Sequence, residues 1–354
     1  LGQDGVSVEL ILARGKPHPQ GVPNWDVHRF PIGRGLRWYV APFVVPDAIG
    51  LVWRAQPFDL LRVHALRYMG PAALWARRLY GIDAPVVSHH HHLDPSPLNS
   101  VIERRVIERS DRVVVGSEFP RRHLQEELGA RVEHVDVVPY GVDARFAPRP
   151  ARADLRARYG LGDQPVVLFF GGLKPRKNLH LLLDVWARVA GEAPAAQLLV
   201  AGGGPMLDEL RGRAARLGLA DRVVFTGYVP EAEKTDVFNL ADVFFFPSAM
   251  EGFGLTVAEA MASGVPVVAS DRGSIPELVV EGETGFVADP AREGDFVARL
   301  LALLRDASLR RCLGDAGRAR AERLYRWERC VEGTRRVYEA TVEAWRRRRV
   351  EAPR

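Results

Sequence analysis

Short apolar runs alternate with helix-length segments along most of this chain, and that alternation restricts its fold more than any other feature. β-rich runs at residues 6–12, 26–30, 59–64, 85–89, 111–115 and 135–139 leave room for helices at 70–80, 98–109 and 118–128. A second series has strands predicted at 165–170, 197–201, 223–226, 243–246 and 265–269, with helices at 179–190, 205–217, 231–240 and 256–263. From residue 292 to 349 the sequence is almost entirely helical. Strand–helix–strand units at this spacing make right-handed crossovers on a parallel sheet. The second series is nearly continuous in apolar residues, as strands covered by helices on both faces must be. A Gly-, Asp- and Pro-bearing stretch at 140–150 interrupts the alternation and marks a linker. A length of 354 residues suffices for two cores. The expected architecture is therefore α/β: two doubly wound, Rossmann-like domains facing across a cleft, spanning 1–147 and 148–326.

Composition narrows the class further. Apolar residues make up 47% and charged residues 26%, which excludes a disordered, collagenous or disulfide-scaffold chain. The two cysteines, Cys312 and Cys330, cannot build a framework and read as reduced thiols. No window of 18 uncharged apolar residues exists, so no transmembrane helix is expected. The net charge of +5 is not spread evenly. Residues 318–354 hold twelve Arg against six acidic residues, leaving the rest near neutrality. That basic segment, ending in Arg346–Arg349, reads as a solvated helix face and tail over 346–354, or as attraction to an anionic membrane, ahead of nucleic acid. Residues 37–54 are rich in Trp, Tyr, Phe and Val, and read either as a core helix or as a membrane-contacting surface, with Pro42 and Pro46 limiting a regular helix.

Three motifs carry chemistry. Glu251-Gly252-Phe253-Gly254-Leu255-Thr256-Val257-Ala258-Glu259 runs from a strand end into a helix. Its glycines permit close backbone approach, and the helix start offers free N–H groups and the positive dipole end to a phosphate. Its two carboxylates can accept from sugar or ribose hydroxyls, or serve only as a cap-region acid and a dipole-complementing helix residue. The second motif, Gly171-Gly172-Leu173-Lys174-Pro175-Arg176-Lys177-Asn178, concentrates three cations between a strand and a helix. Only four of the 49 basic residues are Lys (Lys16, Lys174, Lys177 and Lys234), so Lys177 reads as a selected point charge for a phosphate, with a solvent-exposed residue the alternative. The third is His89–His92, directly after an apolar strand, where open α/β sheets place ligands. One or two of these histidines facing the cleft, a structural role and metal ligation all stay open. No Asp-x-Asp and no zinc-spaced His/Cys cluster occurs, so no metal is expected. The G-x-G-x-x-G fingerprint of dinucleotide oxidoreductases is also missing, since Gly202-Gly203-Gly204-Pro205 lacks its spacing.

Together these segments resemble the retaining, nucleotide-sugar-dependent glycosyltransferases of family 4, which have the GT-B fold. The likeness extends through Glu259–Glu277, Gly285-Phe286-Val287, Gly202–Pro205 and Val138-Pro139-Tyr140-Gly141-Val142-Asp143, and covers nearly the whole chain. It implies that Glu259 binds the nucleotide ribose and Glu251 the transferred sugar. The backbone amides of Phe253, Gly254 and Leu255, beside Thr256, would meet the sugar and diphosphate, and Lys177 the diphosphate above the Gly171-Gly172 turn. Many relatives carry Arg where this chain has Gly172, and Arg176 is the expected substitute. His91 or His92 would position the acceptor, and helix 327–345 would pack back on the first domain. Relatives begin with a βα unit whose end matches Leu1-Gly2-Gln3, so that unit is expected to be absent here. The implied activity is transfer of a hexose, mannose first, from a GDP- or UDP-sugar to a glycan or lipid-linked acceptor. No cofactor, metal or nucleic acid is needed, and the location would be cytoplasmic, with peripheral contact to an anionic inner membrane face. A non-catalytic nucleotide-sugar or carbohydrate-binding protein on the same scaffold is the alternative.

Overall fold

A computed structural model describes residues 7–13, 25–30, 37–64, 66, 69–91 and 97–351. The chain divides into a first unit, Leu1–Val138 with Cys330–Arg354, and a second unit, Pro139–Arg329. Leu1–Gln3 and His92 lie outside the described residues.

In the first unit, β1 (Val8–Ala13) and β2 (Trp25–Phe30) form a two-stranded parallel sheet of their own. Helix α1 (Arg37–Ala55), β3 (Leu61–His64), α2 (Met69–Leu79), β4 (Val86–His90), α3 (Pro97–Arg109), β5 (Arg112–Val115), α4 (Glu118–Leu128) and β6 (Val135–Val137) follow. Strands β3 to β6 pair in sequence order, all parallel. Helix α1 is regular across Pro42 and Pro46, contrary to the expectation drawn from its prolines. Interior prolines cost about 3 kcal/mol each. Burying Val45 and Ile49 against Ala72, Ala73 and Ala76 of α2 offsets this, at about 1.5–3 kcal/mol per large side chain.

The second unit contains α5 (Ala153–Arg158), β7 (Val166–Phe170), α6 (Leu179–Glu192), β8 (Gln197–Ala201), α7 (Leu207–Arg216), β9 (Val223–Gly227), α8 (Lys234–Phe238) and β10 (Val243–Phe246). It continues with α9 (Leu255–Ala262), β11 (Val267–Ser270), α10 (Ile275–Leu278), β12 (Gly285–Ala288), α11 (Glu293–Arg305) and α12 (Ala307–Leu324). Its six parallel strands lie in the order β12-β11-β10-β7-β8-β9. Phe169, Trp186, Phe238, Phe244, Phe245 and Phe246 fill the core on both sheet faces and are fully buried. The chain winds outward from β7 through β8 to β9, then returns to the other side of β7 with β10. The loops after β7 and β10 therefore leave the same sheet end side by side, at the switch point where open α/β sheets bind ligands.

The last helix, α13 (Trp327–Glu351), begins in the second unit and ends in the first. Its run of arginines is helical to Glu351, where a tail from residue 346 was expected. All four arginines have acidic partners: Arg346 with Asp59 at 2.6 Å, Arg348 with Asp111 at 3.3 Å, Arg349 with Asp83, and Arg347 with Glu343. Among the described residues no helix is long and apolar enough to cross a membrane.

Candidate active site

The loop after β7 is shaped by tight backbone packing. Gly202 has φ +136°, and a Cβ there would lie 1.9 Å from the Gly171 carbonyl oxygen, so the loops after β7 and β8 touch only because Gly202 lacks a side chain. Beyond Gly171 and Gly172 the chain makes a single 3₁₀ turn, Pro175–Lys177, which aims Lys177 inward and leaves Arg176 half exposed. Lys177 is 7% exposed, and its ammonium lies 4.5 Å from the centroid of the Phe246 ring.

This turn meets the loop after β10 at one carboxylate. Lys177 Nζ lies 2.6 Å from Glu251 Oε1, and Arg176 Nη1 lies 3.2 Å from the same oxygen. Ser248 Oγ donates to Glu251 Oε1 at 2.6 Å. Ala249 N donates to the Arg176 carbonyl and ties the two loops together, while Ser274 Oγ, from the loop after β11, donates to the Glu251 carbonyl. Burial pushes the Lys177 ammonium below its ordinary pKa, and Glu251 opposes that shift. Three donors converging on one buried carboxylate oxygen hold two cations in fixed positions, as preorganised stabilisation of a leaving anion requires.

Helix α9 starts at Leu255, one short Gly-bearing turn after Glu251. Gly254 caps it with φ +92°, a conformation that other residues rarely adopt, and a Cβ there would press to 2.8 Å against Ile275. The Gly254 carbonyl accepts from the N–H groups of Val257 and Ala258. Those of Leu255 and Thr256 open the helix without an intrahelical acceptor, at its positive end. The Phe253 side chain is buried edge-on against Tyr140 and Tyr325, so only its backbone can serve a ligand. One turn into α9, Glu259 is 4% exposed, with Oε1 held 2.6 Å from Lys234 Nζ. Its other oxygen, Oε2, is buried without a hydrogen-bond partner. Burial raises the Glu259 pKa, and Lys234 pulls it back down.

Two family sequence models match the chain: "Glycosyltransferase Family 4" over residues 1–146 and "Glycosyl transferases group 1" over residues 151–320. The chain is 37% identical over 276 residues to the GDP-mannose-dependent alpha-(1-6)-phosphatidylinositol monomannoside mannosyltransferase of Mycolicibacterium smegmatis, covering 74% of this chain and 70% of that protein. The chain belongs to the family 4 glycosyltransferases. It is thus an enzyme that uses a nucleotide sugar. The D-inositol 3-phosphate glycosyltransferase of Segniliparus rotundus is 34% identical over 254 residues, 70% of this chain and 56% of that protein. The fold matches sucrose-phosphate synthase from Thermosynechococcus elongatus with a TM-score of 0.83 at 24% identity, over 97% of this chain and 90% of that one. Anabaena Alr3699/HepE in complex with UDP and glucose gives 0.76 at 23% identity, over 90% and 86%. This membership does not favour the non-catalytic alternative.

Within the transferase, the second unit brings Glu251, Lys177 and Arg176 together and places Gly171, Gly172, Phe253, Gly254, Leu255, Thr256 and Glu259 on the loops and helix around them. Ser248 and Lys234 were not among the residues expected from sequence. The rarity of Lys, which marks Lys177, marks Lys234 equally. Ser248 carries no such signal, because its contact depends on loop geometry. His91 sits in the first unit, beside His64 at the ends of β4 and β3, with His64 Nδ1 and His91 Nε2 2.7 Å apart. His89 Nε2 pairs with the Tyr338 hydroxyl at 2.8 Å, and the rings of His64, His89 and His91 stack. Burial lowers the pKa of His64 to about 3 and that of His89 further still, while it raises that of Tyr338. Among the described residues no group of three or more His, Cys, Asp or Glu side chains is arranged to hold a metal ion.

Proposed function

We propose that the enzyme transfers mannose from GDP-mannose to a hydroxyl of a glycan or lipid-linked acceptor, with retention at the anomeric carbon and without a metal. The observation that carries this reading is the convergence of Lys177, Arg176 and Ser248 on Glu251 at the entrance to helix α9. Lys177 and Arg176 then meet the diphosphate, together with the opening N–H groups of α9. Glu251 accepts from a hydroxyl of the transferred sugar, and Glu259 from the ribose. As the anomeric carbon–phosphate oxygen bond breaks, negative charge grows on the diphosphate, and the fixed cations stabilise it. The acceptor oxygen forms its bond on the face the diphosphate leaves, and its proton passes to the departing phosphate oxygen. His91, hydrogen-bonded to His64, orients the acceptor. The GDP-mannose dependence of the M. smegmatis relative supports GDP-mannose over a UDP-sugar.

The test is a thermal-shift and transfer assay with GDP-mannose, GDP, UDP-glucose and UDP, with and without EDTA. GDP-mannose at 100 times its Kd should stabilise the chain by about 2.7 kcal/mol. An α-anomeric product by NMR supports retention. A shift with UDP-glucose alone overturns the donor assignment, and activity lost in EDTA and restored by Mn²⁺ overturns metal independence.

A second reading concerns placement at the cytoplasmic membrane face. Phe43 and Leu51 of α1 and Trp75 and Leu79 of α2 are 65%, 62%, 45% and 59% exposed. The Phe43 and Trp75 rings touch edge to face, and exposed Arg54 and Arg78 border the patch. An apolar patch rimmed by cations suits an anionic bilayer surface. The α13 arginines, already paired with carboxylates, are less available for that contact.

A further inference from the structure

We propose that Lys234 is a positioning residue for Glu259: it fixes Oε1 so that Oε2 is presented to accept hydrogen bonds from the nucleotide. The inference rests on the reading above that Glu259 binds ligand hydroxyls. Four observations carry it. First, the chain uses Arg for 45 of its 49 basic residues, yet here it places a Lys. An ammonium is a compact point charge that fits a confined site where a forked guanidinium does not. Second, the ammonium is confined. It lies 2.6 Å from Glu259 Oε1, 5.4 Å from the centroid of Phe146 and 5.6 Å from that of Phe170. Both rings pack on Phe238, so the walls are part of the core. Aromatic faces attract a cation and shield the pair from water.

Third, the acidic neighbours of Lys234 on either side of it are engaged elsewhere. Glu233 pairs with Arg158, Asp236 with Arg152, and Glu231 with Arg145. Lys234 is the member of this segment turned inward onto α9. Fourth, Glu259 Oε2 is a buried acceptor with no donor in the protein, and burying such a group without one is unfavourable. A ligand hydroxyl would satisfy it only while the group is a carboxylate, because a protonated acid loses acceptor capacity. Burial works against ionisation. Lys234 is the largest opposing influence; Arg145 adds to it and Glu231 subtracts from it. Lys234 therefore does two things through Glu259: it maintains the charge and selects which oxygen is offered.

The experiment compares wild type, Lys234→Met, Glu259→Gln and the double variant, using GDP as the probe in calorimetric titrations from pH 5.5 to 8.5. The Glu259 carboxyl is followed separately by ¹³C NMR in the ligand-free protein. In wild type the GDP Kd gives the reference pH profile, which includes the titration of the terminal phosphate of GDP itself, and the variants are compared with it at each pH. In Lys234→Met it should weaken at least tenfold at pH 5.5 and recover as pH rises, and the Glu259 titration should move upward by a unit or more. In the Glu259→Gln background, Lys234→Met should change Kd less than twofold. A pH-independent loss that persists in that background means Lys234 touches the nucleotide itself and overturns the proposal. An unmoved Glu259 titration also overturns it. Unchanged GDP binding in Glu259→Gln overturns the reading of Glu259, a failure distinguishable from the first two. If Lys234→Met does not fold, Lys234→Gln takes its place.

Discussion

Lys177 and Glu251, 74 residues apart in sequence, meet at 2.6 Å with both side chains buried, because the strands that precede them, β7 and β10, are neighbours in the sheet. The pair is the fixed point of the proposed donor site. The strand register sets its position, the Phe246 ring sits against the ammonium, and Ser248 and Arg176 share the same carboxylate oxygen.

Removing the ammonium should therefore be costly for catalysis. For Lys177→Ala we expect a loss of about 2–4 kcal/mol in transition-state stabilisation, the scale of one preorganised donor, or a fall of about 30- to 1000-fold in kcat/KM. Arg176 is half exposed and more solvated, so Arg176→Ala should cost less, about 1.5–3 kcal/mol, the range of a charged hydrogen bond. Steady-state kinetics on both variants decides this. Unchanged kcat/KM in Arg176→Ala would show that Arg176 does not substitute for the Arg that relatives carry at the Gly172 position.

Gly172 offers the complementary test. A Cβ placed there meets nothing nearer than 3.9 Å, and the far end of Lys174 is what it meets. The position is sterically open, unlike Gly202 and Gly204 near it, where a Cβ would lie 1.9 Å and 2.4 Å from a backbone oxygen. Gly172→Arg should fold with little change in Tm and tighten GDP-mannose binding by about fivefold, the value of one partly screened charge contact near 1 kcal/mol. A calorimetric Kd equal to or weaker than wild type would indicate that Arg176 already fills the role.

The elements and the loop-to-helix run from Glu251 to Glu259 were legible because each rests on local pattern. Buried strands such as Val166–Phe170 and Val243–Phe246 are apolar without interruption, and the Glu251–Glu259 spacing lies within one loop and helix. Three features were not legible. Helix α1 contains two prolines, and its regularity comes from burial against α2, a tertiary contact that propensity does not encode. Strand β12 is four residues long and begins with Gly285, too short and too weak in pattern to read as a strand. The Lys234–Glu259 pair joins residues 25 apart on different helices, and only its rarity as a Lys pointed to it.

For the membrane reading, the exposed α1–α2 patch and the arginine run of α13 make opposite predictions. Co-sedimentation with anionic vesicles at low salt should fall at least fivefold in a Phe43→Ser/Trp75→Ser variant. Loss of Arg346 and Arg349, which pair with Asp59 and Asp83, should have a smaller effect. Equal binding to neutral and anionic vesicles would remove the electrostatic part, which is worth about 1 kcal/mol per cation near the surface.

The histidine cluster of the first unit predicts a stability change at mildly acidic pH. His89 is 4% exposed, and burial holds its folded pKa far below the ordinary value of 6.5, while His64 is lowered to about 3. Both rings are neutral in the folded chain at pH 5, whereas in the unfolded chain they bind protons below pH 6.5. The unfolded state then holds more protons, so stability rises with pH across this window. The contribution is fully present above about pH 6.5 and is lost as pH falls below it. For the buried His89 alone, the slope approaches about 1.4 kcal/mol per pH unit well below that point. Burial also keeps Tyr338 protonated, and its hydroxyl shares a hydrogen bond with His89 Nε2 in which either group can donate, according to the His89 tautomer. Glutamine can accept that bond without titrating, which makes His89→Gln the informative variant. Urea unfolding between pH 5 and 7.5 should show the midpoint falling with acid in wild type and falling distinctly less in His89→Gln. Equal slopes for the two proteins would place His89 outside the groups that set acid stability.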